Sequence, residues 1–189
     1  MIAPNNFARP YPVREVFFSL QGEGARSGSA AVFVRFADRG DQCEHLDAAD
    51  LVARVKAADI VSVGCGWVVL KGGATAVAFD TPLRDALRHA GYRIAVEIDG
   101  GRALKASPDY VSVLPEPGAA CSLQHASECR IVLDEGQYPD AAQAAMASRS
   151  TEVFVTPREI GAAAWVVGFV STNSRYRVSF PLQRSIGIP

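Results

Sequence analysis

The stretch YPVREVFFSLQGEGARSGSAAVFVRFA, Tyr11 to Ala37, reads as strand, glycine-rich turn, strand. Val13, Val16, Phe17 and Phe18 supply β-type apolar side chains, and Val32, Phe33, Val34 and Phe36 do so again. Between them Gly22, Gly24 and Gly28 permit backbone angles closed to other residues. A backbone bare of Cβ atoms can approach a ligand closely and offer its N–H groups. Gln21 and Glu23 set an amide and a carboxylate at the strand mouth, and Arg35 sits on the next strand. The plain alternative is a solvated hairpin loop, because short glycine motifs are common by chance.

Working outward, the chain alternates strands and helices. Asp47 is positioned to cap a helix running to about Ala58, with Leu51, Val52 and Val55 on its apolar face. Trp67 to Leu70 reads as a buried strand ending in Lys71, Gly72, Gly73, Ala74 and Thr75. Thr81 to Gly91 reads as a helix, with Thr81 as cap, Pro82 in the first turn and Gly91 as stop. Further strands are predicted at Tyr92–Ile98, Tyr110–Leu114, Glu128–Leu133, Glu152–Thr156 and Tyr176–Phe180. Helices are predicted from Pro139 or Asp140 to about Ser148 and from Gly161 to about Thr172. Such alternation implies a mostly parallel sheet covered by helices. With right-handed connections the sheet either doubles back or curls into a partial barrel. Residues 1–10 read as a flexible arm broken by Pro4 and Pro10, and residues 11–189 as one domain.

A chain of 189 residues holds one domain with a real core. Its apolar fraction of 49% and charged fraction of 21% are those of a folded soluble protein. The net charge of −1 leaves no electrostatic footprint for nucleic acid or an anionic membrane. No apolar run is long enough to span a bilayer, and the N-terminus lacks the apolar centre of a signal peptide. A cytoplasmic location is therefore expected. Four cysteines, Cys43, Cys65, Cys121 and Cys129, show no C-x-x-C pair and read as reduced thiols. Gly64-x-Gly66 faintly suggests a dinucleotide turn, but a strand follows it where that motif demands a helix.

Four segments in order resemble the 7-carboxy-7-deazaguanine synthase family, small radical-SAM enzymes of the queuosine and deazapurine pathway. SLQGEG followed by a short loop and A-V-F-V-R-F-A is similar to the family's N-terminus. WVVLKGGATAVAFDTPLRDALRHAGYRIAVEIDGG resembles its strand, G-G-E-P turn, helix and E-T-N-G strand. SPDYVSVLPEPGA resembles its D-W-I-x-V-S-P-K-A segment, and YRVSFPLQRSIGIP its terminus ending in I-P. The resemblance implies a partial, incomplete TIM-like barrel of the radical-SAM type. It implies a ligand site built from Leu20, Gln21, Gly22, Glu23, Arg35, Gly72, Gly73, Glu97 and Pro189, the last through its terminal carboxylate. Arg35 would suit the carboxylate of a pterin- or deazapurine-like ligand.

The family's reaction uses a [4Fe–4S] cluster, S-adenosylmethionine and Mg2+. Its cluster cysteines occupy the loop directly after the R-F-A strand. Here that loop holds Cys43 alone among Asp41, Glu44, His45 and Asp47, unlike the cysteine-rich ligation of Fe–S clusters. Cys43, His45 and Asp47 alternate as zinc ligands can, but no second ligand pair accompanies them. Ala74 stands where the family's glutamate faces the methionyl ammonium, which removes a charge-assisted hydrogen bond. Glu116 replaces a lysine and Gln183 a histidine. The expectation is therefore no cofactor, no metal ligand and no catalytic residue. The chain would be a divergent homologue acting as a pseudoenzyme, a ligand binder or a structural partner, such as one half of a homodimer. Convergence of the four cysteines in space, with synthase activity retained, is the remaining alternative.

Overall fold

The computed structural model describes residues 10–60 and 64–182. Pro189, Gln183 and nearly all of the predicted N-terminal arm lie outside the described residues. In chain order the elements are β1 (Tyr11–Leu20), β2 (Ala30–Phe36), β3 (Glu44–Leu46), α1 (Ala48–Ala58), β4 (Trp67–Lys71), α2 (Thr75–Ala78) and α3 (Thr81–His89). Then come β5 (Arg93–Ile98), β6 (Tyr110–Val113), β7 (Ala126–Leu133), α4 (Ala141–Ser148), β8 (Ser150–Pro157), α5 (Ala163–Thr172) and β9 (Arg177–Val178). They form one nine-stranded sheet in the order β3-β1-β2-β4-β5-β6-β7-β8-β9. Only β1 runs against the rest, pairing antiparallel with β2 and β3.

The sheet is mostly parallel and does not close into a barrel, yet it is strongly curled. β1 and β9 stand seven strand spacings apart, which in a flat sheet is roughly 33 Å. Nevertheless Leu182 N–H donates to Gly22 O at 3.0 Å, and Gly24 N–H donates to Ser179 Oγ at 2.9 Å. The few residues between these groups and their strands cannot span such a gap, so the sheet itself bends. The loop after β1 fills the hollow that results.

Side-chain alternation separates two faces. The outer face packs the helices through Val32, Val34, Phe36, Val68, Leu70, Ile94 and Val96, against Leu51, Val55, Leu83 and Leu87. A second cluster joins Ile131, Leu133 and Val155 to Met146, Val166 and Phe169. Each such side chain contributes about 1.5–3 kcal/mol when fully buried. The hollow face holds a smaller apolar patch of Ala31, Phe33, Val69 and Ala95.

Caps set the helix starts. Asp47 accepts from Asp50 N–H at 2.8 Å, and Asp140 and Gln143 form a capping box on α4. On α3 the cap is Asp80, which accepts from Leu83 N–H at 3.1 Å. Thr81 is therefore the first helical residue, correcting its predicted role as cap. Two short elements were not foreseen. Glu44–Leu46 pairs with Tyr11–Val13 just after the loop that holds Cys43, and α2 is a single turn. Among the described residues no helix is long and apolar enough to cross a membrane.

Candidate functional site

The hollow face carries a cross-sheet row of polar side chains. Register pairs Arg35 with Lys71 and Glu97 with Ser112, then Ser112 with Glu128 and Glu128 with Glu152. Leu70 pairs with Val96, so Lys71 and Glu97 are also neighbours. Arg130 lies two residues beyond Glu128 on the same face of β7.

Arg130 ties this row together. Its side chain is 2% exposed, its Nη1 donates to Glu23 Oε2 at 3.0 Å, and its Nη2 lies 2.7 Å from Glu97 Oε1. Nε is 3.2 Å from Glu128 Oε1. The Nε and Nη2 contacts are close ion pairs whose N–H directions fall short of good hydrogen-bond geometry. Lys71 Nζ stands 3.3 Å from Glu97 Oε2. Burial alone would push the Glu97 carboxyl up. Arg130, Lys71 and the Gln21 amide outweigh it and hold the group down at about 2. Burial would lower the Arg130 guanidinium, but Glu97, Glu128 and Glu23 raise it instead.

Glu128 anchors the glycine loop from beneath. It accepts from Ala25 N–H at 2.9 Å, Tyr110 Oη at 3.0 Å and Ser112 Oγ at 2.7 Å. Gly24 lies against it at φ +74°, and a Cβ there would stand 2.4 Å from both carboxylate oxygens. That position needs glycine for its angle and for its space. The loop closes through Gly28 N–H to Gln21 O and Gln21 N–H to Ser29 O, both 2.8 Å. Gln21 then donates through Nε2 to Glu97 Oε1 at 2.9 Å and to Glu23 O at 3.3 Å.

These groups line two adjoining cavities. The larger, about 520 Å³, is walled by Gln21, Gly22, Glu23, Arg35, Lys71, Glu97, Arg130, Thr156 and Arg158, with Phe17, Phe33 and Val132 as apolar wall. The smaller, about 390 Å³, shares Glu23, Lys71 and Glu97 and adds Gly72, Gly73, Asp99 and Glu116. Seven sequence-predicted positions thus meet on one surface: Gln21, Gly22, Glu23, Arg35, Gly72, Gly73 and Glu97. Leu20 ends β1 opposite Ala30 and lines neither cavity. Gly72 has φ +101°, and a Cβ there would meet Phe36 O at 2.2 Å, so this turn too needs glycine.

Three placements are not visible from the sequence. Gln21 and Glu23 do not come from the C-terminal end of a parallel strand. They follow the antiparallel β1 and fold back over the hollow face. Their side chains leave the turn: Gln21 reaches Glu97 on β5, and Glu23 reaches Arg130 on β7. Arg35 pairs with the half-exposed Glu15 beside it on β1, not with a core carboxylate. Ala74 is the N-cap position before α2 and lines a separate pocket beside Tyr11 and Asp80. Arg130, Glu128, Lys71 and Thr156 were missed. Glu128 and Arg130 did leave a signal: opposite charges two residues apart within an apolar strand.

No protein-family model matches the chain. It is 30% identical over 217 residues to the 7-carboxy-7-deazaguanine synthase of Nitratidesulfovibrio vulgaris, covering 95% of this chain and 99% of that one. The chain belongs to the 7-carboxy-7-deazaguanine synthase family. The Bacteroides thetaiotaomicron synthase is 28% identical over 181 residues, with 93% of this chain and 97% of that one covered. The Burkholderia multivorans synthase is 33% identical over 153 residues, with 66% and 72% covered. The crystal structure of QueE from Escherichia coli superposes with a TM-score of 0.69 at 18% identity, over 90% of this chain and 93% of that one. That likeness supports the radical-SAM type of fold.

Membership of the synthase family corrects the expectation of no cofactor. The near full-length match is to synthases, and the family's reaction is the one that uses a [4Fe–4S] cluster, S-adenosylmethionine and Mg2+. The described residues do not by themselves fit a cluster held by three thiolates. Cys43 precedes β3, while Cys65 and Cys129 pack towards the helix-covered face. Cys121 lies 3.2 Å from the Met146 sulfur, and burial pushes the Cys129 thiol up to about 12. Among the described residues no three His, Cys, Asp or Glu side chains gather as metal ligands. Asp47 is occupied as a helix cap and Glu44 pairs with Arg54.

Proposed function

We propose that this family member binds a pterin- or purine-type ligand carrying a carboxylate, in the cavity between the Gln21–Glu23 loop and the hollow face of the sheet. One observation carries the reading. Gln21, Glu23, Arg35 and Glu97 match the family's motifs, come from three separate parts of the chain, and converge on one cavity. Gln21, Glu23 and Glu97 are fixed by mutual contacts through Arg130 before any ligand arrives, which lowers the ordering cost of binding. Arg35 stands at the edge with its guanidinium near the Phe17 ring, 5.7 Å from its centroid, suited to a carboxylate. In this reading the altered loop at Cys43 and the changed turn at Ala74 mark a divergent member, a pseudoenzyme or a repurposed binder.

The second reading is retained synthase activity with an unconventional cluster site, favoured by the near full-length match to curated synthases. Calorimetric titration of 6-carboxy-tetrahydropterin, with Arg35→Ala as control, tests the binding. Saturable binding abolished by the substitution is the expected result, and no binding overturns the proposal. Anaerobic reconstitution separates the two readings. Iron at about four per chain, with an S-adenosylmethionine-dependent EPR change, overturns the pseudoenzyme reading in favour of the synthase.

A further inference from the structure

We infer that Thr156 is a specificity-determining residue of the larger cavity, its hydroxyl bonding the polar edge of the bound heterocycle alongside Gln21. The inference rests on the ligand-binding reading above and deepens it. Thr156 lies on β8 in register with Val132 of β7, two residues beyond the Arg130–Phe154 pair and on the same face. It is 3% exposed and lines the cavity, yet its Oγ1 has no hydrogen-bond partner among the described residues. Buried hydroxyls are normally satisfied, so an orphan on a cavity wall points to a partner inside the cavity.

The same wall holds a second orphan, an acceptor only. Gln21 is 4% exposed and its Oε1 is unpartnered among the described residues. Its orientation is not arbitrary. Rotating the amide would set Oε1 against the Glu97 carboxylate, which Nε2 now meets at 2.9 Å. Oε1 can only accept, so the ligand must bring an N–H to it. Arg130 Nε and Nη2 can only donate and already face Glu128 and Glu97, so Thr156 Oγ1 is the group on this wall left to meet a ligand's oxygen or bare nitrogen. Thr156 can do either. A donor and an acceptor side by side on one heterocycle edge describe a lactam with an adjacent amine, the edge that pterins and 7-deazaguanines share. Val132, Phe33 and Phe17 give the ring its apolar surroundings. A hydroxyl that reads this edge would reject a bicyclic ring of the same size lacking it, because the wall's polar groups would then stay unpaired.

The test uses two probes on the full chain: 6-carboxypterin, and quinoxaline-2-carboxylate, which keeps two rings and the acid but no lactam. Calorimetry on wild type, Thr156→Val and Thr156→Ser is compared after thermal unfolding confirms that each variant folds. Wild type is expected to prefer the pterin. Thr156→Val keeps the shape and loses the hydroxyl. It should weaken pterin binding about tenfold, or 1.4 kcal/mol, and leave quinoxaline binding unchanged. Thr156→Ser should restore the preference. If Thr156→Val keeps the wild-type preference, the role of Thr156 is overturned while the cavity reading stands. If wild type binds neither probe, both fall together.

Discussion

Glu97 and Arg130 meet across an intervening strand. Glu97 is on β5, Arg130 is on β7, and β6 runs between them, yet Glu97 Oε1 and Arg130 Nη2 are 2.7 Å apart. Both side chains are at least nine-tenths buried. The curl of the sheet makes this reach feasible, and the pair in turn receives Gln21 and Glu23 from the loop above. The first prediction concerns Arg130→Met. Removing one partner of a buried ion pair leaves the others uncompensated, at a typical cost of about 3–5 kcal/mol. Glu97, Glu128 and Glu23 would all lose it together. Urea unfolding should show a loss of this size, and an undiminished midpoint would contradict the knot's importance.

The same pair makes a pH prediction. The folded-state carboxyl of Glu97 is lowered from 4.5 to about 2. A group depressed on folding contributes its stability above its unfolded value and loses it as pH falls through the folded one. The contribution is therefore full above about 4.5 and fades between there and about 2. The shift corresponds to about 3 kcal/mol. Urea midpoints should fall across that window in wild type, and Glu97→Gln should flatten much of the slope. A variant that loses stability in acid as steeply as wild type would assign the acid sensitivity to other carboxylates.

Gly24→Ala probes the loop more than the core. The new methyl would meet the Glu128 carboxylate at 2.4 Å and force an unfavourable backbone angle. The expected cost in stability is about 1–3 kcal/mol. The loop should shift away from β7, carrying Gln21 and Glu23 with it, so ligand binding should drop further than the melting temperature suggests. Unchanged affinity in a folded variant would show that the cavity does not depend on this clamp.

Much of the fold was legible because local signals agreed. The strand–glycine–strand pattern gave β1 and β2, and alternating apolar runs and capped helices gave most of the parallel sheet. Asp47 announced its helix as a side-chain cap, whereas Asp140, read only as a possible helix start, proves to be the cap of α4. β3 was hidden because three residues of Glu, His and Leu carry no strand pattern of their own, and they pair only because β1 offers an edge. The lining of the candidate cavity was legible where the chain resembles the family's motifs, at Gln21, Glu23, Arg35 and Glu97. Arg130 was overlooked because a charge in an apolar strand gains meaning only when the sheet curls and brings Glu23 and Glu97 to it. Thr156 left no trace, since a buried threonine in a strand is ordinary until its hydroxyl is found unpaired on a cavity wall.

Arg35→Ala separates folding from binding. Arg35 and Glu15 form a salt bridge on neighbouring strands, with side chains 36% and 41% exposed. Pairs this open to water contribute about 0–1 kcal/mol, so the variant should unfold within that margin of wild type. Its place on the cavity wall, beside the Phe17 ring and one strand from Lys71, gives it a different weight for a ligand. A carboxylate that bonds to a guanidinium typically loses about 1.5–3 kcal/mol when the partner is removed, which is roughly ten- to a hundredfold in affinity. Calorimetry with 6-carboxypterin should therefore show a large drop while the denaturation curve barely moves. Equal losses in both measurements would make Arg35 a structural residue and move the carboxylate's partner to Lys71 or Arg158.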